Sequence, residues 1–169
     1  MKKLSIDELV EQYADYCYRV AYVYCKEHEA AEEIVQDVLM SYYSAQQRFN
    51  GESTLKTYLT KITVHKSYDY LRKRKRKFLF FKAKIDEEKH FDPSYLHLQA
   101  EKNGEVLQAV LDLDEKYREI IVLHYYEEMT LVEISDVLSL NINTVKSRHS
   151  RAKKQLQDQL KEVYFDEEF

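Results

Sequence analysis

Leu9, Tyr13, Tyr16, Val20 and Val23 recur at steps of three and four residues. That is the period of an amphipathic helix. Ser5 and Glu8 precede the run as an S-x-x-E capping box, with acids in the first turn where the helix dipole favours them. A second helix is predicted from about Ala30 to Gln47, marked by Ile34, Val38, Met40 and Tyr42. Asn50-Gly51 is the clearest turn signal in the chain. Ser53 or Thr54 can cap a third helix, which carries Leu55, Leu59, Ile62, Tyr68 and Leu71. This helix runs into RKRKRK at 72–77.

The pattern then decays. Residues 82–103 are polar and hold the only proline, Pro93, which reads as a linker. Periodicity returns from Glu105 in VLQAVLDL. The segment 114–129 has Asp114 as its expected cap and an apolar stripe of Tyr117, Ile120, Ile121 and Leu123. A short amphipathic helix follows over 130–138, capped by Thr130 with Glu133 at the capping-box position. Ser139-Leu140 makes a tight turn, and Asn141 caps a last helix ending near Leu160. The acidic tail YFDEEF is expected to fray. The fold expected is all-α: two small helical domains joined by a flexible linker. The boundaries are 1–77, a linker at 78–104, a helix-turn-helix domain at 105–161 and a tail at 162–169. Two glycines and one proline in 169 residues fit a chain with few sharp turns.

Charge narrows the function. The formal net charge is -4 and the pI about 5.9. A general DNA-coating protein needs widespread positive charge to displace counterions, so any nucleic-acid contact here must come from local patches. Cys17 and Cys25 form neither a CxxC motif nor a disulfide framework, and they read as buried helix-face thiols in a reducing compartment. The six histidines are scattered, and none pairs with a cysteine at zinc spacing. The N-terminus lacks the apolar core of a signal peptide, and no apolar run is long enough for a bilayer. The location expected is the cytoplasm. There is no nucleophile–base pair, phosphate loop or metal cluster, so no enzyme, cofactor, metal or small-molecule substrate is expected.

Two constellations remain. A short helix, a turn and a second capped helix form a helix-turn-helix pattern. Val145, His149, Ala152 and Leu156 share one side of the last helix, and the apolar ones call for burial. The opposite side shows Asn143, Lys146, Ser147, Ser150, Arg151 and Lys154, with no acid between Asn141 and Gln157. Such a face is either an ordinary solvated surface or a recognition helix for the major groove. Further upstream, Lys56, Thr57, Tyr58, Lys61, Lys66 and Tyr70 interleave cations with aromatic rings before RKRKRK. That mixture suits single-stranded nucleic acid, and it equally suits a solvated basic helix end. The acidic stretch 27-EHEAAEEIVQDVL-39 is a solvated face or a surface for a basic partner.

Two segments carry a family resemblance. The first is 30-AAEEIVQDVLMSYYSAQQRFNGESTLKTYLTKITVHKSYDYLRKRKR-76, and the second is 113-LDEKYREIIVLHYYEEMTLVEISDVLSLNINTVKSRHSRAKKQL-156. In order and spacing they resemble regions two and four of the bacterial extracytoplasmic-function sigma factors, the small specificity subunits of RNA polymerase. The resemblance implies that Glu32, Glu33, Gln36 and Asp37 dock on core RNA polymerase. It implies that Asn50, Ser53, Thr54, Lys56, Tyr58, Lys61, His65 and Arg72 engage the melted −10 element, with the loop from Asn50 to Thr54 receiving a flipped base. It implies that Asn143, Thr144, Lys146, Ser147, Ser150, Arg151 and Lys154 read the duplex −35 element. The linker would thread toward the RNA exit path, and an anti-sigma factor, often membrane-anchored, would hold the protein inactive. Four positions depart from the family pattern. Tyr58 stands for the usual Trp, His65 for the usual Asn, Ser139 for the usual turn Gly, and His149 for an apolar residue. Ser139 is expected in the left-handed region at about 1 kcal/mol, and His149 as a half-buried, hydrogen-bonded side chain. A stand-alone helix-turn-helix regulator and a protein-binding adaptor are the rival readings.

Overall fold

The computed structural model describes residues 4–48, 51, 53–81 and 100–166. Seven helices and no strand lie among the described residues. They are α1 (Ile6–Cys25), α2 (His28–Ala45), α3 (Leu55–Phe81), α4 (Ala100–Asp112), α5 (Glu115–Ile121), α6 (Leu131–Leu138) and α7 (Ile142–Asp166). The chain divides into two compact units, 1–91 and 92–169, and the division falls within the segment expected as linker.

In the first unit, α1, α2 and α3 pack on one another around Leu9, Val20, Val38, Leu59 and Val64, all essentially inaccessible. Each such side chain contributes about 1.5–3 kcal/mol of burial. The Ser5–Glu8 capping box forms as expected, both halves closed. Lys26 ends α1 in the left-handed region. The buried face of α2 is Ala30, Ala31, Ile34, Val35, Val38, Leu39 and Tyr42, which recur in pairs at the helical period. Met40, one of the apolar markers of this helix, lies off that face and is 57% exposed. It sits about 200° around the helix from Val38. Gln46–Arg48 is a short 3-10 turn. Asn50, a predicted turn and site residue, lies outside the described residues. Gly51 takes φ +74°, the left-handed conformation that its missing Cβ permits. Of the two candidate caps for α3, Thr54 fills the role: its Oγ1 accepts from the Thr57 amide at 3.1 Å.

α3 buries more hydroxyls than a periodicity argument would allow. Thr60, Thr63 and Ser67 are fully buried. Each donates at 2.8 Å to the carbonyl four residues back, which satisfies the hydroxyl inside the helix. Both cysteines are buried thiols. Burial pushes Cys25 up to about 11, so it stays protonated and donates to the carbonyls of Ala21 and Glu27.

In the second unit, the predicted stripe of Tyr117, Ile120, Ile121 and Leu123 is buried throughout. Asp114 stands at the start of α5 but makes no side-chain cap; its carbonyl, not its carboxylate, takes the Tyr117 and Arg118 amides. Arg118 is 5% exposed and donates to the carbonyls of Leu111 and Leu113, tying α5 back to the end of α4. Past Ile121 the helix widens into one π-turn over Val122–Tyr126. The Thr130–Glu133 capping box opens α6 as expected. Ser139 closes α6 at φ 53°, the left-handed position expected for it. Asn141 caps α7 through its side chain at 2.8 Å to the Asn143 amide. α7 continues to Asp166, past the expected end near Leu160, so 164–166 of the segment expected to fray are helix. The edges of the expected linker are likewise helical: α3 reaches Phe81 and α4 starts at Ala100, while 82–99 lie outside the described residues.

Candidate nucleic-acid interface

The recognition face of α7 is set by packing. Val145 and Ala152 are fully buried, and α7 packs on α4, α5 and α6. The helical period then turns Asn143, Lys146, Ser147, Ser150, Arg151 and Lys154 outward, and all six are exposed. Thr144, also a predicted contact, is half-buried on the flank. Cations and short polar side chains on the first turns of a capped helix can hold phosphates and reach base edges. Arg148 lies between the two faces. Its guanidinium meets the Glu119 carboxylate at 3.6 Å, and Glu119 is only 1% exposed, which pins α7 to α5.

His149 occupies the inward flank. Its Nε2 is 3.2 Å from the Tyr125 hydroxyl and its ring stacks on Tyr125. His124 lies edge-on at 5.0 Å, held by its own Nδ1 at 2.7 Å from the Met129 carbonyl. A carbonyl only accepts, so that Nδ1 carries a proton. Burial holds His149 below its ordinary pKa, and His124 and Lys153 push the same way. The expected half-buried, hydrogen-bonded histidine is what the structure contains.

In the first unit the predicted strand-holding residues follow α3. Lys56, His65 and Arg72 are exposed, Tyr58 and Lys61 half-buried. At the entry to the helix Thr54 is exposed and Ser53 half-buried. His65, Tyr68, Asp69 and Arg72 line one shallow depression, in which Asp69 holds the Arg72 guanidinium. Three neighbours assigned no part in this face from sequence brace it. The Tyr16 ring of α1 lies under the Lys56 ammonium at 4.8 Å, Tyr42 of α2 meets Tyr58 edge-on at 6.0 Å, and Asp37 of α2 lies 3.8 Å from Lys66. No local signal marks them, because each partner is more than fifteen residues away in sequence.

The four predicted polymerase-docking residues, Glu32, Glu33, Gln36 and Asp37, are all exposed on α2. Glu32 also pairs with His28 at 3.2 Å. Between α1 and α2 runs an apolar groove of about 570 Å³, lined by Val10, Tyr18, Val35, Leu39 and Met40 together with Glu32 and Gln36. The exposed Met40 is part of that groove.

Residues 9–77 match the model of Sigma-70 region 2, and residues 103–156 match that of Sigma-70, region 4. The chain is 30% identical over 164 residues to RNA polymerase sigma factor SigV of Bacillus subtilis (strain 168), covering 94% of this chain and 92% of that protein. The chain belongs to the ECF sigma factors. This sigma factor is also 26% identical to ECF RNA polymerase sigma factor SigW of Bacillus subtilis (strain 168), over 92% of this chain and 89% of that one. Its fold matches the co-crystal structure of the sigma factor RpoE in complex with the anti-sigma factor NepR from Bartonella quintana. There the TM-score is 0.78 at 27% identity, covering 92% of this chain and 96% of that one. The region 2 match spans most of α1, all of α2 and α3 through the basic run; the region 4 match runs from within α4 to the middle of α7. No helix among the described residues is long and apolar enough to cross a membrane.

Proposed function

We propose that this sigma factor reads a promoter in two parts and docks on polymerase by a third surface. α7 reads the −35 duplex through Asn143, Lys146, Ser147, Ser150, Arg151 and Lys154, with Thr144 at its edge. α3 and the loop before it hold the melted −10 strand through Asn50, Ser53, Thr54, Lys56, Tyr58, Lys61, His65 and Arg72. Glu32, Glu33, Gln36 and Asp37 meet core RNA polymerase. The protein performs no bond chemistry in this reading. Melting costs unpairing energy, and stacking captured bases offsets it by about 1–3 kcal/mol per base. The observation that carries the proposal is the partition of α7. Six polar and basic side chains face solvent without an acid among them, opposite a fully buried Val145 and Ala152.

An anti-sigma factor completes the scheme. The relative RpoE was crystallised with one, NepR. Such a partner would keep this cytoplasmic protein from polymerase until a signal arrives.

Gel shifts and run-off transcription test the reading with promoter DNA and three protein mixtures: this chain alone, core polymerase alone, and both. Promoter-specific transcripts are expected only from the pair. Tight specific binding by the lone chain would favour a stand-alone regulator, and no gain from adding it to core would sink the proposal. Asp37→Arg should lower co-purification with core several-fold, because it reverses charge on an exposed docking position. Unchanged recovery would remove α2 from the docking surface.

A further inference from the structure

Tyr16 is an α1 residue that no promoter role accounts for, and it is 7% exposed. It grips the first two turns of α3, once in each. Its ring lies under the Lys56 ammonium, 4.8 Å from centroid to Nζ. Its hydroxyl is hydrogen-bonded to the Thr60 hydroxyl. Thr60 spends its own proton on the Lys56 carbonyl at 2.8 Å, so Tyr16 is the donor in that bond. Ring, hydroxyl and Thr60 thus hold Lys56 at both its ammonium and its backbone. Arg19 lies 5.9 Å over the same ring, so the ring carries two cations.

A lysine has four side-chain torsions to fix before it can meet a phosphate, and ordering them costs affinity. A ring that already stacks on the ammonium removes part of that cost before DNA arrives. The Thr60 link additionally anchors the turn on which Lys56 and Tyr58 sit. We propose that Tyr16 is a positioning residue for single-stranded promoter DNA. It pre-orders Lys56 on the strand-holding face of α3 without touching the strand. The inference rests on the reading of α3 as that face.

The experiment uses holoenzyme reconstituted from core polymerase and the full chain. Two probes are compared: a fork junction with a single-stranded non-template −10 segment, and a duplex carrying the −35 element alone. Tyr16→Leu should weaken fork-junction binding about 2- to 10-fold. It should leave core binding and the −35 duplex unchanged. Tyr16→Phe keeps the ring under Lys56 but loses the bond to Thr60, and should retain most of the affinity, which separates the ring's part from the hydroxyl's. Lys56→Ala should weaken the fork junction as well, and Tyr16→Leu combined with Lys56→Ala should be no weaker than Lys56→Ala alone. Additive losses in the double variant, or a Tyr16→Leu holoenzyme equal to the parent on the fork junction, would overturn the role of Tyr16. A parent holoenzyme with no preference for the fork junction over random single strand would instead bring down the reading of α3, and this inference with it.

Discussion

His149 is the residue at which the recognition helix departs from a dry seam. An apolar side chain would fill its position between α7 and the π-turn with no proton to manage. Here the imidazole is held neutral by burial, by His124 and by Lys153, so its folded pKa lies below the ordinary 6.5. The unfolded chain therefore takes up a proton there before the folded one does. Stability from this group is complete above pH 6.5 and is lost as pH falls below it. The second unit should melt at lower temperature at about pH 5.5 than at about pH 7.5, in the range where histidine titrates. His149→Gln, which keeps a hydrogen-bonding side chain but cannot titrate, should flatten that part of the dependence. Thermal melts of parent and variant at both values check this. A melting-temperature gap between the two that is the same at both pH values would rule out the histidine as its source.

At the scale of elements, α5 and α6 pack on α7 and aim the face proposed to read bases. Arg148 is committed to Glu119, whereas Arg151 is one turn further along the exposed face. Arg151→Ala should lower transcription by about 5- to 150-fold where the −35 sequence offers its base partner, since a bidentate arginine contact is worth about 1–3 kcal/mol. On promoters altered at that base the loss should shrink. Run-off assays on a −35 substitution series check it, and equal activity of variant and parent on every promoter would remove Arg151 from base reading. The face itself was legible in the sequence, because helical spacing separates Val145 and Ala152 from the exposed set without any tertiary knowledge. The capping boxes at Ser5 and Thr130 were legible for the same reason: donor and acceptor lie three residues apart. Met40 marked the helix but not its buried face, because hydrophobicity alone carries no angle around α2. Asp114 looked like a cap but leaves the work to its carbonyl. The buried Thr60, Thr63 and Ser67 were hidden because their hydroxyls are satisfied by their own helix, so polarity no longer reports exposure. The bracing of Lys56 by Tyr16 joins residues 40 positions apart, and no local pattern encodes it.

For the whole molecule, the acidic balance and the two-unit division belong to one argument. A net charge of -4 disfavours tight binding of the free chain to DNA, and each unit offers only a local basic face. Polymerase docking turns two weak contacts into a linked pair, and the second contact then becomes intramolecular with a gain of about 10²–10⁴. Such a gain exists only if both units reach their elements together, so the spacing between −10 and −35 becomes part of the recognition. Three extra base pairs shift the −35 element by about 10 Å and turn it by about 100° around the duplex. Transcription from the lengthened promoter should fall by about tenfold or more, a fraction of the avidity at stake. The same insertion should matter much less to a holoenzyme carrying both Lys146→Ala and Arg151→Ala. There the contact that the spacer aligns is already lost, so moving it takes little more away. Run-off transcription from a spacer series with parent and double variant measures both effects. Spacer-independent activity of the parent would separate the two units functionally, and an undiminished spacer effect in the double variant would assign the −35 contact to some surface other than α7.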